Sequence, residues 1–124
     1  MRDKRAKPFD DIDMLQDLFK RQRELSLAIG DDFNKMSLEE KEEYTKDKVL
    51  ALLDETHEVL REINWKSWKK TKKDIDGDKL LEELSDVFHF YINLCLVWGF
   101  DAKDVYGAYL KKDDDNYNRI KRAY

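Results

Sequence analysis

Glu55 and Glu58 stand three residues apart in LDETHEVLREI, and Glu83 and Asp86 repeat that spacing in LLEELSDVFHF. On a helix, side chains three apart lie on one face. Two such helices packed side by side bring four carboxylates together, and their mutual repulsion calls for a divalent cation. All-oxygen ligands suit Mg2+, with Mn2+ as its substitute. A cation held this way can also hold phosphate oxygens, so the pattern points to phosphoryl chemistry rather than to the two differently protonated carboxyls of a glycosidase. The competing reading is a solvated acidic face, because such spacings are common in a chain with 28 Asp plus Glu. Against it, Glu83 and Asp86 interrupt one of the most apolar stretches, where an unpaired charge is costly.

Cationic and aromatic residues supply the rest of a phosphate site. Lys66, Lys69, Lys70, Lys72 and Lys73 crowd the segment WKSWKKTKK, and Arg119 offers a planar fork for phosphate oxygens from another element. The lysine run also reads as a solvated basic loop. Trp65 and Trp68 suit either packing, within the core or between copies, or stacking on a base. His89 follows Asp86 by three positions but lies in an apolar segment, which favours a hydrogen-bonded core histidine over a base. His57 points away from the first acidic pair and is expected to be exposed. Cys95, the one cysteine, reads as small core packing rather than a nucleophile. Neither a glycine-rich phosphate loop nor a dinucleotide fingerprint occurs.

The elements that must position these residues are helices. Four glycines and one proline divide the 124 residues into helix-length pieces without a flexible linker. Pro8 opens a first helix, with Ile12, Leu15, Leu18, Phe19, Gln22, Leu25 and Ile29 near one face and Gly30 as its stop. Ser37 and Glu40 form a capping box for a second, Thr45 being a competing start. Val49, Leu52, Leu53, Val59, Leu60 and Ile63 carry that helix toward Asn64. A connection with a turn-like DGD runs to Asp78. The third helix, Leu80 to Trp98, is apolar nearly all round and should be the deepest, ended by Gly99. Asp101 and Asp104 cap a fourth, with Ala102, Val105, Tyr106 and Tyr109 facing inward.

The fold class is therefore all-α, a compact bundle of four main helices in one domain over 1–124, small enough to gain from dimerising. Charged residues make up 42% and hydrophobic ones 41%, which allows a core and disfavours wholesale disorder. With one cysteine, no leader-like N-terminus and no apolar run of about 18 residues, a soluble cytoplasmic protein is expected. The net charge of -4 and the lack of a reader motif argue against nucleic acid as the main partner.

The strings LALLDETHEVLREINWKSWKK and LLEELSDVFHFYINL resemble the dimeric dUTPase branch of the all-α nucleoside triphosphate pyrophosphatases, with MazG-type enzymes as more distant relatives. The resemblance runs from Thr45 to Tyr124. It implies that Glu55, Glu58, Glu83 and Asp86 bind magnesium ions. Trp65, Lys66, Trp68 and Lys69 match a W-K-x-W-K signature, and His89 and Phe90 complete a D-x-x-H-F pattern. Lys112, Asn116, Arg119 and Tyr124 match a motif whose side chains approach the nucleotide, and Gln16 or Gln22 would take the role of a uracil-contacting glutamine.

The implied activity is hydrolysis of dUTP, and of dUDP, to dUMP by a homodimer, a metal-activated water attacking the α-phosphorus as pyrophosphate leaves dUTP. Three residues depart from the branch's usual pattern: Asp113 replaces Asn, Ile120 replaces Gln, and Ala123 replaces Gly. Asp113 and Ile120 keep dCTP or a noncanonical nucleotide in play as substrate. A non-catalytic helical interaction or regulatory protein is the reading outside enzymes.

Overall fold

A computed structural model describes residues 13–123 and consists of four main helices: α1 Met14–Ala28, α2 Leu38–Arg61, α3 Gly77–Val97 and α4 Ala102–Ala123, with a 3₁₀ turn at Phe33–Lys35. Among the described residues there is no strand, and no helix is long and apolar enough to cross a membrane. The expected roles of Pro8, Ile12 and Tyr124 fall outside the described residues.

Local chemistry sets each boundary. The carboxylate of Asp13 accepts from the Gln16 N–H to start α1, which ends before Gly30 at φ 100°, a backbone angle costly for any residue with a Cβ. The capping box of α2 is complete: Ser37 Oγ accepts from Glu40 N–H, and Glu40 Oε1 accepts from Ser37 N–H. Thr45 is thus interior to α2, its hydroxyl bonded to the Lys41 carbonyl. The DGD turn is a correction, because Asp76 accepts from the N–H groups of Asp78 and Lys79 and starts α3 three residues ahead of Leu80. Gly99, at φ 81°, ends it. Asp101 and Asp104 cap α4 reciprocally, each side chain accepting from the other's N–H.

The largest helix–helix interface is α2 on α3. These two run antiparallel: Thr45, early in α2, accepts a hydrogen bond from Trp98 Nε1 just past α3, whereas Glu55, later in α2, meets Glu83 and Asp86 early in α3. Helix α1 runs parallel to α3, since Gln22 bonds His89 while Ser26 bonds Asn93. The core gathers Phe19, Phe33, Ile92, Cys95, Leu96, Val97 and Ala102, with Leu15, Met36, Tyr44 and Val105 packed against it.

Helix α3 is the most buried helix, but only over its second half. Ahead of Ile92 it exposes Leu81, Leu84, Phe88 and Tyr91, the last two stacked with ring centroids 6.3 Å apart. Three further expected inward faces need correction. Helix α2 has no fully buried side chain, and Val49 and Leu53 are exposed. Leu18 and Leu25 of α1, and Ile29 just past its end, stay exposed, while Phe19, Gln22 and Ser26 are buried. In α4, Ala102 is buried and Val105 packs on the core, but Tyr106 and Tyr109 are exposed, Tyr109 at 70%. Periodicity identifies an apolar face; it does not say that the same chain covers it.

Candidate active site

The α2–α3 interface brings Glu55, Glu83 and Asp86 together, one ligand oxygen from each lying within 4.8 Å of the others. All three are half-buried. Burial pushes the Glu55 carboxyl up from its ordinary value, and Asp86, Asp54 and Glu58 add to the rise. Glu83 is raised likewise, first by burial and then by Asp86, Glu58, Glu55 and Glu62. Among the described residues no lysine or arginine pairs with this trio. Half-buried carboxylates that repel one another and lack a cationic partner fit an oxygen-ligated divalent cation, so these residues suit Mg2+ or Mn2+.

Glu58 behaves differently. It stays within electrostatic reach of Glu55 and Glu83, but its Oε1 accepts from Arg61 Nη1 at 2.8 Å, an i, i+3 pair at the end of α2. Arg61 therefore neutralises the carboxylate expected to be the fourth ligand. Glu62, which also raises Glu83, was not anticipated from sequence. Its spacing was the available signal, because positions 55, 58 and 62 share one helical face.

Arg61 also lines an open pocket of about 400 Å³ with Asn64, Trp65, Lys66, Lys69, Lys72 and Lys73. This is the lysine-rich connection, and Asn64 shapes it. Its Nδ2 donates to the Lys73 carbonyl at 2.8 Å and its Oδ1 accepts from the Lys73 N–H at 2.9 Å. Lys72 Nζ donates to the Lys66 carbonyl, and Lys73 Nζ to that of Arg61, so these two ammonium groups brace the loop. Trp65 and Trp68 meet edge to face at 5.9 Å, and Lys66 Nζ sits 5.5 Å above the Trp65 ring. With Trp68 70% exposed, the tryptophans are not core residues in this chain.

On its flank facing α1, α3 lines a second pocket, of about 240 Å³, with Leu18, Arg21, Gln22 and Leu25 opposite Ser85, Phe88, His89 and Ile92. Gln22 is only 5% exposed, and its Oε1 lies 2.5 Å from His89 Nδ1. The expected hydrogen bond of His89 is present, but its side chain is at the surface rather than in the core. Gln16 is exposed elsewhere on α1, and the described pocket does not include it. His57 is exposed and Cys95 buried, as expected, with burial pushing the Cys95 thiol up. Lys112, Asn116 and Arg119 are exposed along α4 and form no described hydrogen bond with the acidic trio.

The described residues thus form a helical bundle with a carboxylate trio across one antiparallel pair, flanked by a basic loop and a small pocket. A family model described as dUTPase matches residues 14–97. The chain belongs to that family, a dUTPase-like branch of the MazG superfamily. This match takes in α1, ahead of the Thr45 start of the resemblance, and stops at the end of α3, with α4 beyond it. The dCTP pyrophosphatase of Enterobacteria phage LZ5 is 30% identical over 71 residues, covering 48% of this chain and 41% of that protein. The chain therefore spans less than half the length of this curated relative. No solved structure gives a significant match.

Proposed function

We propose that this chain is a magnesium-dependent pyrophosphohydrolase that converts dUTP to dUMP and pyrophosphate and also accepts dUDP. The observation that carries the reading is the trio Glu55, Glu83 and Asp86, joined through Arg61 and Glu58 to a basic, tryptophan-bearing loop. Glu55, Glu83 and Asp86 would hold the cation, with Glu58 added once Arg61 releases it. Bound Mg2+, or Mn2+ in its place, supplies positive charge to phosphate oxygens and makes a water more acidic.

The chain's own residues do the rest. Glu55 orients the water and takes its proton as the oxygen adds to the α-phosphorus. The bond from that phosphorus to the bridging oxygen breaks, and pyrophosphate departs. Lys66 and Lys69 meet phosphate oxygens, and Trp65 and Trp68 pack on the nucleoside. Gln22 reads the base edge in the pocket beside His89, Gln16 being the alternative. Lys112, Asn116, Arg119 and Tyr124 close over the nucleotide in a homodimer, a state supported by the uncovered Leu81, Leu84, Phe88 and Tyr91.

A second reading, dCTP as the preferred substrate, is favoured by the similarity to a dCTP pyrophosphatase. A panel of dUTP, dUDP, dCTP, dTTP and modified nucleotides, assayed with and without Mg2+ for release of monophosphate, tests both. Magnesium-dependent turnover highest on dUTP supports the first reading. Equal or greater turnover of dCTP moves the assignment to the second, and no turnover of any nucleotide overturns both.

A further inference from the structure

We propose that His89, Gln22, Asn93 and Ser26 form a two-position selector that decides which pyrimidine edge the pocket between α1 and α3 accepts. The inference rests on reading the site as a pyrimidine nucleotide site and names the groups that set its base preference. In the arrangement described, His89 Nδ1–H donates to Gln22 Oε1. Gln22 Nε2 donates to Asn93 Oδ1 at 3.1 Å, and Ser26 Oγ donates to the same oxygen at 2.9 Å. Gln22, Ser26 and Asn93 are all buried.

Each atom of the Gln22 amide keeps one further valence, a lone pair on Oε1 and an N–H on Nε2. Gln22 also lines the pocket, so a base there meets an acceptor beside a donor. Uracil presents N3–H next to the O4 acceptor, whereas cytosine presents the N3 acceptor next to N4–H. In a fixed pose the two bases therefore require opposite orders of oxygen and nitrogen on Gln22.

Gln22 cannot choose that order alone. Turning only its amide would set Nε2–H against Nδ1–H and Oε1 against Oδ1. A second arrangement exists if four groups change together, the Gln22 amide, the His89 proton, the Asn93 amide and the Ser26 hydroxyl. The His89 proton moves to its Nε2, so that Nδ1 accepts from Gln22. The Asn93 amide turns, so that Nδ2 donates both to Gln22 Oε1 and to Ser26 Oγ. Gln22, His89 and Asn93 then keep matched donors and acceptors, while the Ser26 hydroxyl, now accepting from Nδ2, has to turn its proton away from Asn93. His89 and Asn93 are thus positioning residues acting through Gln22.

The test compares kcat/KM for dUTP and dCTP in the full chain and in Asn93→Asp, Asn93→Ala and His89→Ala, with melting curves to establish folding. An aspartate at 93 only accepts and holds the Gln22 nitrogen toward it, so Asn93→Asp should raise the existing preference by about tenfold. Asn93→Ala and His89→Ala free the amide and should move the ratio toward unity by a similar factor. If Asn93→Asp does not fold, the two alanine variants decide. A common loss on both nucleotides, with the ratio within twofold of wild type, overturns the selector and leaves these residues a structural role. Affinities for nonhydrolysable dUTP and dCTP analogues read the same ratio without turnover. Binding without hydrolysis would therefore retire the hydrolase reading while the selector stands or falls on its own ratio. If neither analogue binds, both proposals are overturned.

Discussion

Replacing Asn64 with alanine should loosen the basic loop while leaving the bundle intact. The side chain makes two hydrogen bonds to the backbone of Lys73, nine residues on, at 2.8 and 2.9 Å. Closing a flexible nine-residue loop costs about 1.9 kcal/mol in its length-dependent part. Two exposed hydrogen bonds at roughly 0.5–1 kcal/mol each offset about 1–2 kcal/mol of that. The two quantities are similar, so removing the clip should lower the closed-to-open ratio by about 5- to 30-fold. Trypsin reads the open state directly, because the loop carries Lys66, Lys69, Lys70, Lys72 and Lys73. The cleavage rate should rise toward that factor and KM should rise with it, while kcat and the melting temperature stay close to wild type. If cleavage and KM both remain within twofold of wild type, the clip does not control the loop and the reasoning is refuted.

Glu55→Gln and Glu83→Gln should each lower magnesium-dependent kcat by about 10²-fold or more and shrink the Mg2+-induced rise in melting temperature, with far-UV circular dichroism unchanged. A full thermal response in both variants would exclude them as ligands. Glu83 titrates above its ordinary 4.5, so the folded chain holds its proton more tightly than the unfolded chain does. Its stabilising contribution is therefore present below 4.5 and lost as pH rises through the folded value. Without metal, wild type should gain stability relative to Glu83→Gln as pH falls from neutral toward 4.5; parallel melting curves across that window would contradict this. Gly99→Ala meets no nearby atom but must hold φ 81°, a cost of about 1–2 kcal/mol, or roughly 4–8 °C in melting temperature. Calorimetry showing no decrease would rule out backbone strain there.

The helices were legible because their end signals are local: Ser37 with Glu40, Asp101 with Asp104, and glycines at 30 and 99. The acidic trio was legible too, since three-residue spacing fixes a helical face and the antiparallel pair brings two such faces together. Arg61 on Glu58 was not anticipated, although it is a neighbour on the same helix, because counting carboxylates ignores the cation one turn away. Asn93 and Ser26 were missed for a different reason. Hydropathy ranks them as surface residues, but they satisfy each other and Gln22 across α1 and α3, and that pairing spans 67 residues or more of sequence. The inward faces of α2 and α4 were overestimated because an apolar stripe was equated with burial in the same chain.

Helix α2 extends 24 residues, about 36 Å at 1.5 Å per residue, without a single fully buried side chain. A helix of that length draws most of its stability from what packs along it, and here the cover is incomplete. Under the homodimer reading, the acidic site inherits a mass-action dependence: dilution would loosen the helix that carries Glu55 before it altered any ligand. Melting temperature should then rise with protein concentration, and Mg2+ affinity should rise in step. Catalytic competence in such a protein would be set partly by how many copies of the chain share the solution.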